Sequence, residues 1–134
     1  MKIFTKKEIL PISLILIAII ISVFSYPLLP DRVPSHWNAN GQIDSYASKE
    51  FMSYFTVGLM AIFYLLMLYT PLIDPLKANY EKFSIPYFWI RTTFLAFFLA
   101  LHAYTIKAAL GPTFNIIYFI LPAMAVLFIV LGFF

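Results

Sequence analysis

No cysteine occurs in the 134 residues, so disulfides, thiolate nucleophiles and cysteine-ligated metals are excluded. Charge is scarce. Asp, Glu, Lys and Arg make up 11% of the chain, against about 25% in soluble domains. A chain this short has much surface per unit volume and needs polar cover if water surrounds it. The deficit excludes an ordinary water-soluble domain. A disordered segment is excluded too, because 63% of the residues are hydrophobic. Basic stripes are absent: the net charge is +3, but the nine Lys and Arg are scattered, which argues against direct nucleic-acid binding. Internal repeats and low-complexity segments are also missing. What is abundant is apolar sequence in long runs. The fold expected is therefore all-α, a single integral membrane domain over residues 1–134 built as a bundle of four transmembrane helices.

Crossing the hydrocarbon core takes about 20 mostly apolar residues. Four stretches meet that need, at about 9–26, 48–70, 86–109 and 114–134. Thr5 and Glu8 stand at a capping-box spacing before the first, with Phe4 and Ile9 placed for a hydrophobic staple. Pro11 offers a second start for the same helix. Ser48 is a candidate N-cap for the second span, and Pro71 is expected to end it. Pro122 is expected to kink the fourth, which neighbouring helices tolerate. The basic stretch at Lys2, Lys6 and Lys7 ahead of the first span resembles a signal peptide, but no small-residue cleavage site follows, so the span is read as retained.

Orientation follows from the positive charges. With the N-terminus in the cytoplasm, Lys2, Lys6, Lys7, Lys77, Lys82 and Arg91 lie inside, and Arg32, Lys49 and Lys107 lie outside. Both termini are thus expected in the cytoplasm of a cell-membrane protein, with an outer loop at 27–47 and an inner loop at 71–84. Tyrosines and tryptophans near the span ends read as interface anchors.

The two loops carry most of the polar sequence. The outer one places Pro30 and Pro34 before His36-Trp37-Asn38, then Asn40-Gly41, Asp44 and Tyr46. Prolines stiffen the approach, and Asn-Gly favours a tight turn because both residues tolerate positive φ. An ordered outer loop is expected. The inner loop opens on Asp74-Pro75, a helix-entry pair, with Asn79 about one turn later. Leu76, Tyr80 and Phe83 have the spacing of a short amphipathic helix lying on the membrane surface. Hydrogen bonding within each loop is the simpler use of these polar groups, and ligand or partner binding is the functional one.

Two ionisable residues fall within the third span. Arg91 is near enough to the inner interface to snorkel, or to pair with Asp74 or Glu81. His102 lies roughly 16 Å further along the helix at 1.5 Å per residue. It reaches the depth of the outer loop, so His36, Asp44 and His102 together are a candidate divalent-metal site. No other cofactor is expected.

The run Pro34-Ser35-His36-Trp37-Asn38 with Gly41, Asp44 and Tyr46, followed by a span and then Asp74-Pro75 with Asn79, resembles the N-terminal membrane domain of the SdpI family over residues 27–90. The resemblance implies a multi-pass protein that gives immunity to a secreted toxic peptide and signals by drawing a cytoplasmic repressor to the membrane. His36, Trp37, Asn38, Gly41, Asp44 and Tyr46 would then form the toxin-facing side. Asp74, Pro75 and Asn79 would form the repressor-facing side. Longer members continue past the fourth span, so this chain corresponds to a short or truncated form. A different class of function fits the sequence as well: a small accessory subunit of a larger membrane complex, packed through Gly58/Ala61 or Ala96/Ala100. No nucleophile–base pair is evident, so a non-enzymatic role is expected.

Overall fold

In the computed structural model residues 6–133 are described. Four α-helices run in chain order: α1 (Ile9–Ser25), α2 (Lys49–Ile73), α3 (Ser84–Leu110) and α4 (Ile117–Phe133). Between α1 and α2 stands an antiparallel hairpin, β1 (Arg32–Trp37) and β2 (Ile43–Ser48). The segments Lys6–Leu28, Lys49–Ile73 and Ser84–Leu110 are long and apolar enough to cross a membrane. Where no water can satisfy the backbone, a helix is the form that satisfies itself. The expected fourth span is shorter. Its helix starts at Ile117, three residues later than expected, and has 17 residues among those described. Asn115 sets that start, its side-chain oxygen accepting from Ile117 N at 2.9 Å.

The bundle is inverted relative to a soluble one. On α1 the buried residues are Pro11, Ala18, Ser22 and Ser25, at helical spacing. Its large side chains point outward; Ile9 is 68% and Phe24 74% exposed. Small residues on the inner face let backbones approach closely, which is how helices associate in lipid. The small-residue pairs singled out in the sequence lie elsewhere: Gly58 has open space around its α-carbon, and Ala96 is exposed. At the centre, Ala18, Met60 and Leu95 are completely buried, flanked by Tyr64 and Leu68.

Prolines are placed by hydrogen-bond accounting. Pro11 and Pro86 occupy the third positions of α1 and α3, where no intrahelical N–H is needed. Pro71 was expected to end α2, yet the helix runs on to Ile73. A proline there frees the carbonyl of Met67, one turn back. The Tyr87 hydroxyl donates to that carbonyl at 2.7 Å, which removes the penalty and lets the helix continue.

The start of α1 at Ile9 agrees with the expected span. Thr5 and Phe4, and so the capping box and staple, lie outside the described residues. Glu8 occupies the N-cap position without a side-chain cap bond. Its carboxylate turns inward instead. Between α2 and α3 the loop forms a 3-10 turn, Lys77–Glu81, rather than an amphipathic α-helix. Asp74 accounts for this: its two oxygens accept from Leu76 N at 2.8 Å and from the Tyr80 hydroxyl at 2.9 Å, which tightens the chain into a compact turn. The bond to Asp74 raises the Tyr80 phenol above its ordinary pKa.

Candidate functional site

The hairpin is the polar feature that the sequence singled out, and the fold mounts it rigidly. Asn38 begins its turn. The Asn38 carbonyl accepts from Gly41 N at 2.8 Å, and its side-chain oxygen accepts from Asn40 N and Gln42 N at 2.9 and 3.0 Å. Gly41 has φ of +74°, the left-handed conformation that glycine adopts without strain. A Cβ there would also collide with the side chain of Asn115. Asn115 in turn donates to the Asn40 carbonyl at 2.8 Å, fastening the hairpin tip to the α3–α4 connection. Trp37 packs edge-on against Tyr104 of α3, with ring centroids 5.8 Å apart. Tyr104 stacks on Phe119 of α4 and donates to the Phe114 carbonyl at 2.8 Å. Trp37 thus holds the hairpin to the bundle. At the hairpin's base, Val33 and Leu29 are buried with Met52 and Ile106.

Two register shifts interrupt the ladder, either side of the His36–Ser45 pair. They leave Ser35 and Asp44 outside the regular pairing, and such bulges re-aim side chains. Asp44 reaches His36, with Oδ1 2.5 Å from Nδ1. The pair stays in the open, the two side chains being 67% and 41% exposed. The contact takes up Nδ1 and leaves Nε2 directed away from its carboxylate partner. Tyr46 is also exposed, at 47%.

The structure joins His36 to Asp44 but does not bring His102 to them. His102 is buried between helices, its Nε2 2.9 Å from Ser22 Oγ, which itself donates to the Ser53 carbonyl at 2.5 Å. Since the Ser22 proton is committed to Ser53, the imidazole Nε2–H donates and Ser22 accepts. Nδ1 has no hydrogen-bond partner among the described residues. No group of three His, Asp or Glu side chains among the described residues is arranged to hold a metal ion. The expected three-residue metal site is therefore replaced by an exposed pair and a separate buried serine–histidine cluster.

A second buried cluster was missed in the sequence. Arg91 is 5% and Glu8 8% exposed. Arg91 Nη2 donates to both Glu8 oxygens, at 2.7 and 2.9 Å. The Tyr64 hydroxyl donates to Glu8 at 2.9 Å, and the guanidinium sits 5.3 Å from the Tyr64 ring centre. Arg91 neither snorkels nor pairs with Asp74 or Glu81. A Glu at the head of one span and an Arg one-quarter of the way along another is the only trace of this pairing in the sequence. Between the two clusters lies the apolar layer of Ala18, Met60 and Leu95, so no continuous polar path links them.

In the loop at the opposite end, Asp74 is engaged within its own turn, while Pro75 and Asn79 are exposed.

Residues 13–69 match the model of a protein family described as Domain of unknown function (DUF1648). The matched stretch takes in most of α1, the whole hairpin and α2 as far as Tyr69; Asp74, Pro75 and Asn79 lie beyond it. No curated protein matches the chain, and no solved structure does.

Proposed function

We propose that the protein is a multi-pass membrane protein of SdpI type, whose hairpin binds a peptide ligand outside the cell and whose role is immunity, signalling or both. Both termini then lie in the cytoplasm, as the distribution of Lys and Arg favours. The observation that carries this reading is a division of labour in the hairpin. Pro34, Trp37, Asn38 and Gly41 are spent on burial, docking and turn formation. His36, Asp44 and Tyr46 are left on the surface of a rigid mount, where the fold makes no use of them beyond the His36–Asp44 contact. An exposed polar face held by a stiff scaffold suits recognition rather than packing. The role is binding, without catalysis, and no cofactor is required. On the opposite side, exposed Pro75 and Asn79 beside the Asp74 turn would meet a cytoplasmic partner such as a transcriptional repressor.

The test is genetic. Deleting the gene is expected to sensitise cells to a secreted toxic peptide, and His36→Ala and Asp44→Ala are expected to reproduce the defect at normal protein level. Unchanged sensitivity in the deletion strain refutes the immunity role.

A second reading, an accessory subunit of a larger membrane complex, draws on the shallow apolar groove between α3 and α4 at Ala96, Phe97, Ala123 and Val126. Small residues there admit a neighbouring helix. Stoichiometric co-purification with a larger membrane protein in mild detergent would favour it over a free-standing receptor.

A further inference from the structure

The geometry points to a docking collar for anionic phospholipid headgroups at the end of the bundle away from the hairpin, formed by Lys6, Lys7, Lys77 and Lys82. All four are exposed. None forms an ion pair with a described residue. The two segments that carry them share one end of the bundle. Lys6 and Lys7 precede Glu8, which is clamped to Arg91 near the start of α3. Lys77 opens the 3-10 turn just before α3 and Lys82 follows its last residue.

Charge is distributed unevenly along the molecule. At the hairpin end Arg32, Lys49 and Lys107 are balanced by Asp31, Asp44 and Glu50. At the opposite end, among the described residues, five basic residues (Lys6, Lys7, Lys77, Lys82 and Arg91) face three acids, Glu8, Asp74 and Glu81. Two of those acids are engaged inside the protein, Glu8 by Arg91 and Tyr64, and Asp74 by Leu76 N and Tyr80. The excess positive charge of the described residues is therefore concentrated on the four lysines.

Apolar side chains adjoin them. Ile73 is 82%, Leu76 67% and Ile85 58% exposed. Tyr80 packs on Phe83 and Tyr87, with ring centroids 4.8 and 5.1 Å apart. Exposed aliphatics that dip among acyl chains, an aromatic layer and lysines above it reproduce the order of a bilayer's own interface. Lysine ammonium groups at that level meet lipid phosphates, and anionic headgroups gain the most from them.

The experiment reconstitutes the full chain in phosphatidylcholine and measures, by spin-label resonance, how strongly labelled phosphatidylglycerol associates with it relative to labelled phosphatidylcholine. Phosphatidylglycerol is expected to be preferred. Each Lys→Gln change should lower the preference by up to roughly fivefold, and the quadruple variant should abolish it. Lys49→Gln with Lys107→Gln, at the balanced end, should leave it intact. Circular dichroism of the quadruple variant should match the parent, since these exposed side chains form no ion pair with a described residue. A preference that survives the quadruple change, or that disappears with Lys49 and Lys107 instead, overturns the collar. Displacement of the labelled lipid by inorganic phosphate at constant ionic strength would assign the lysines to free anions and overturn it equally.

Discussion

Replacing Glu8 by Gln isolates the energetic role of the buried ion pair. The change keeps the volume, and the amide oxygen can still accept from Tyr64 and Arg91. It removes the charge and turns one acceptor oxygen into an N–H donor. Both partners are more than nine-tenths buried, so solvent screens them little. Two unit charges about 4 Å apart interact by about 4 kcal/mol at an effective dielectric near 20; the contacts here are 2.7 and 2.9 Å. Removing one partner of such a pair typically costs about 3–5 kcal/mol, because the other charge stays buried without compensation. Glu8→Gln is therefore expected to destabilise by that amount, and Arg91→Met by a similar amount. The double variant buries no charge at all. It should lose far less than the two single changes added together, with a coupling energy of about 2 kcal/mol or more. Denaturant titration in mixed micelles, followed by the fluorescence of Trp37 and Trp89, measures all four proteins. Lys6→Gln, an exposed change, serves as control. If Glu8→Gln lies within about 1 kcal/mol of the parent and the two changes are additive, the clamp is not what joins α1 to α3.

Two further predictions concern the backbone. Tyr87→Phe should cost about 1–3 kcal/mol by leaving the Met67 carbonyl unpaired, and most of that cost should vanish in a Pro71→Ala background, where residue 71 regains its N–H; equal cost in both backgrounds would contradict the hydrogen-bond account of the α2 extension. Gly41→Ala should cost about 1–3 kcal/mol for the left-handed backbone alone, with more from the collision with Asn115, and hydrogen exchange across residues 38–46 should accelerate while α2 stays protected; unchanged exchange would mean that the hairpin tip is not docked there.

Lipid-facing character was legible along the chain because it is a local property. Run length and hydropathy place three spans to within a few residues of α1, α2 and α3. Asn40-Gly41 marks a turn because its backbone demand is satisfied within a few residues, and Ser48 caps α2 through Phe51 N for the same reason. The end of α2 depends on a partner far along the chain, and the start of α4 on a local cap whose residue is also tied to the hairpin. Tyr87 carries α2 past Pro71, and Asn115, which also fastens the hairpin, delays α4.

Long-range pairing was beyond the sequence altogether. Glu8 and Arg91 are 83 residues apart, and Ser22 and His102 are 80 apart; no periodicity ties members of such pairs together. Composition and spacing determine that the chain forms apolar helices and a stiff polar turn, because those preferences are settled within a few neighbouring residues. Which polar side chains meet inside the bundle, and which of the hairpin's side chains stay exposed, is settled only when the helices pack, because each buried polar group must find its partner across the bundle rather than along the chain.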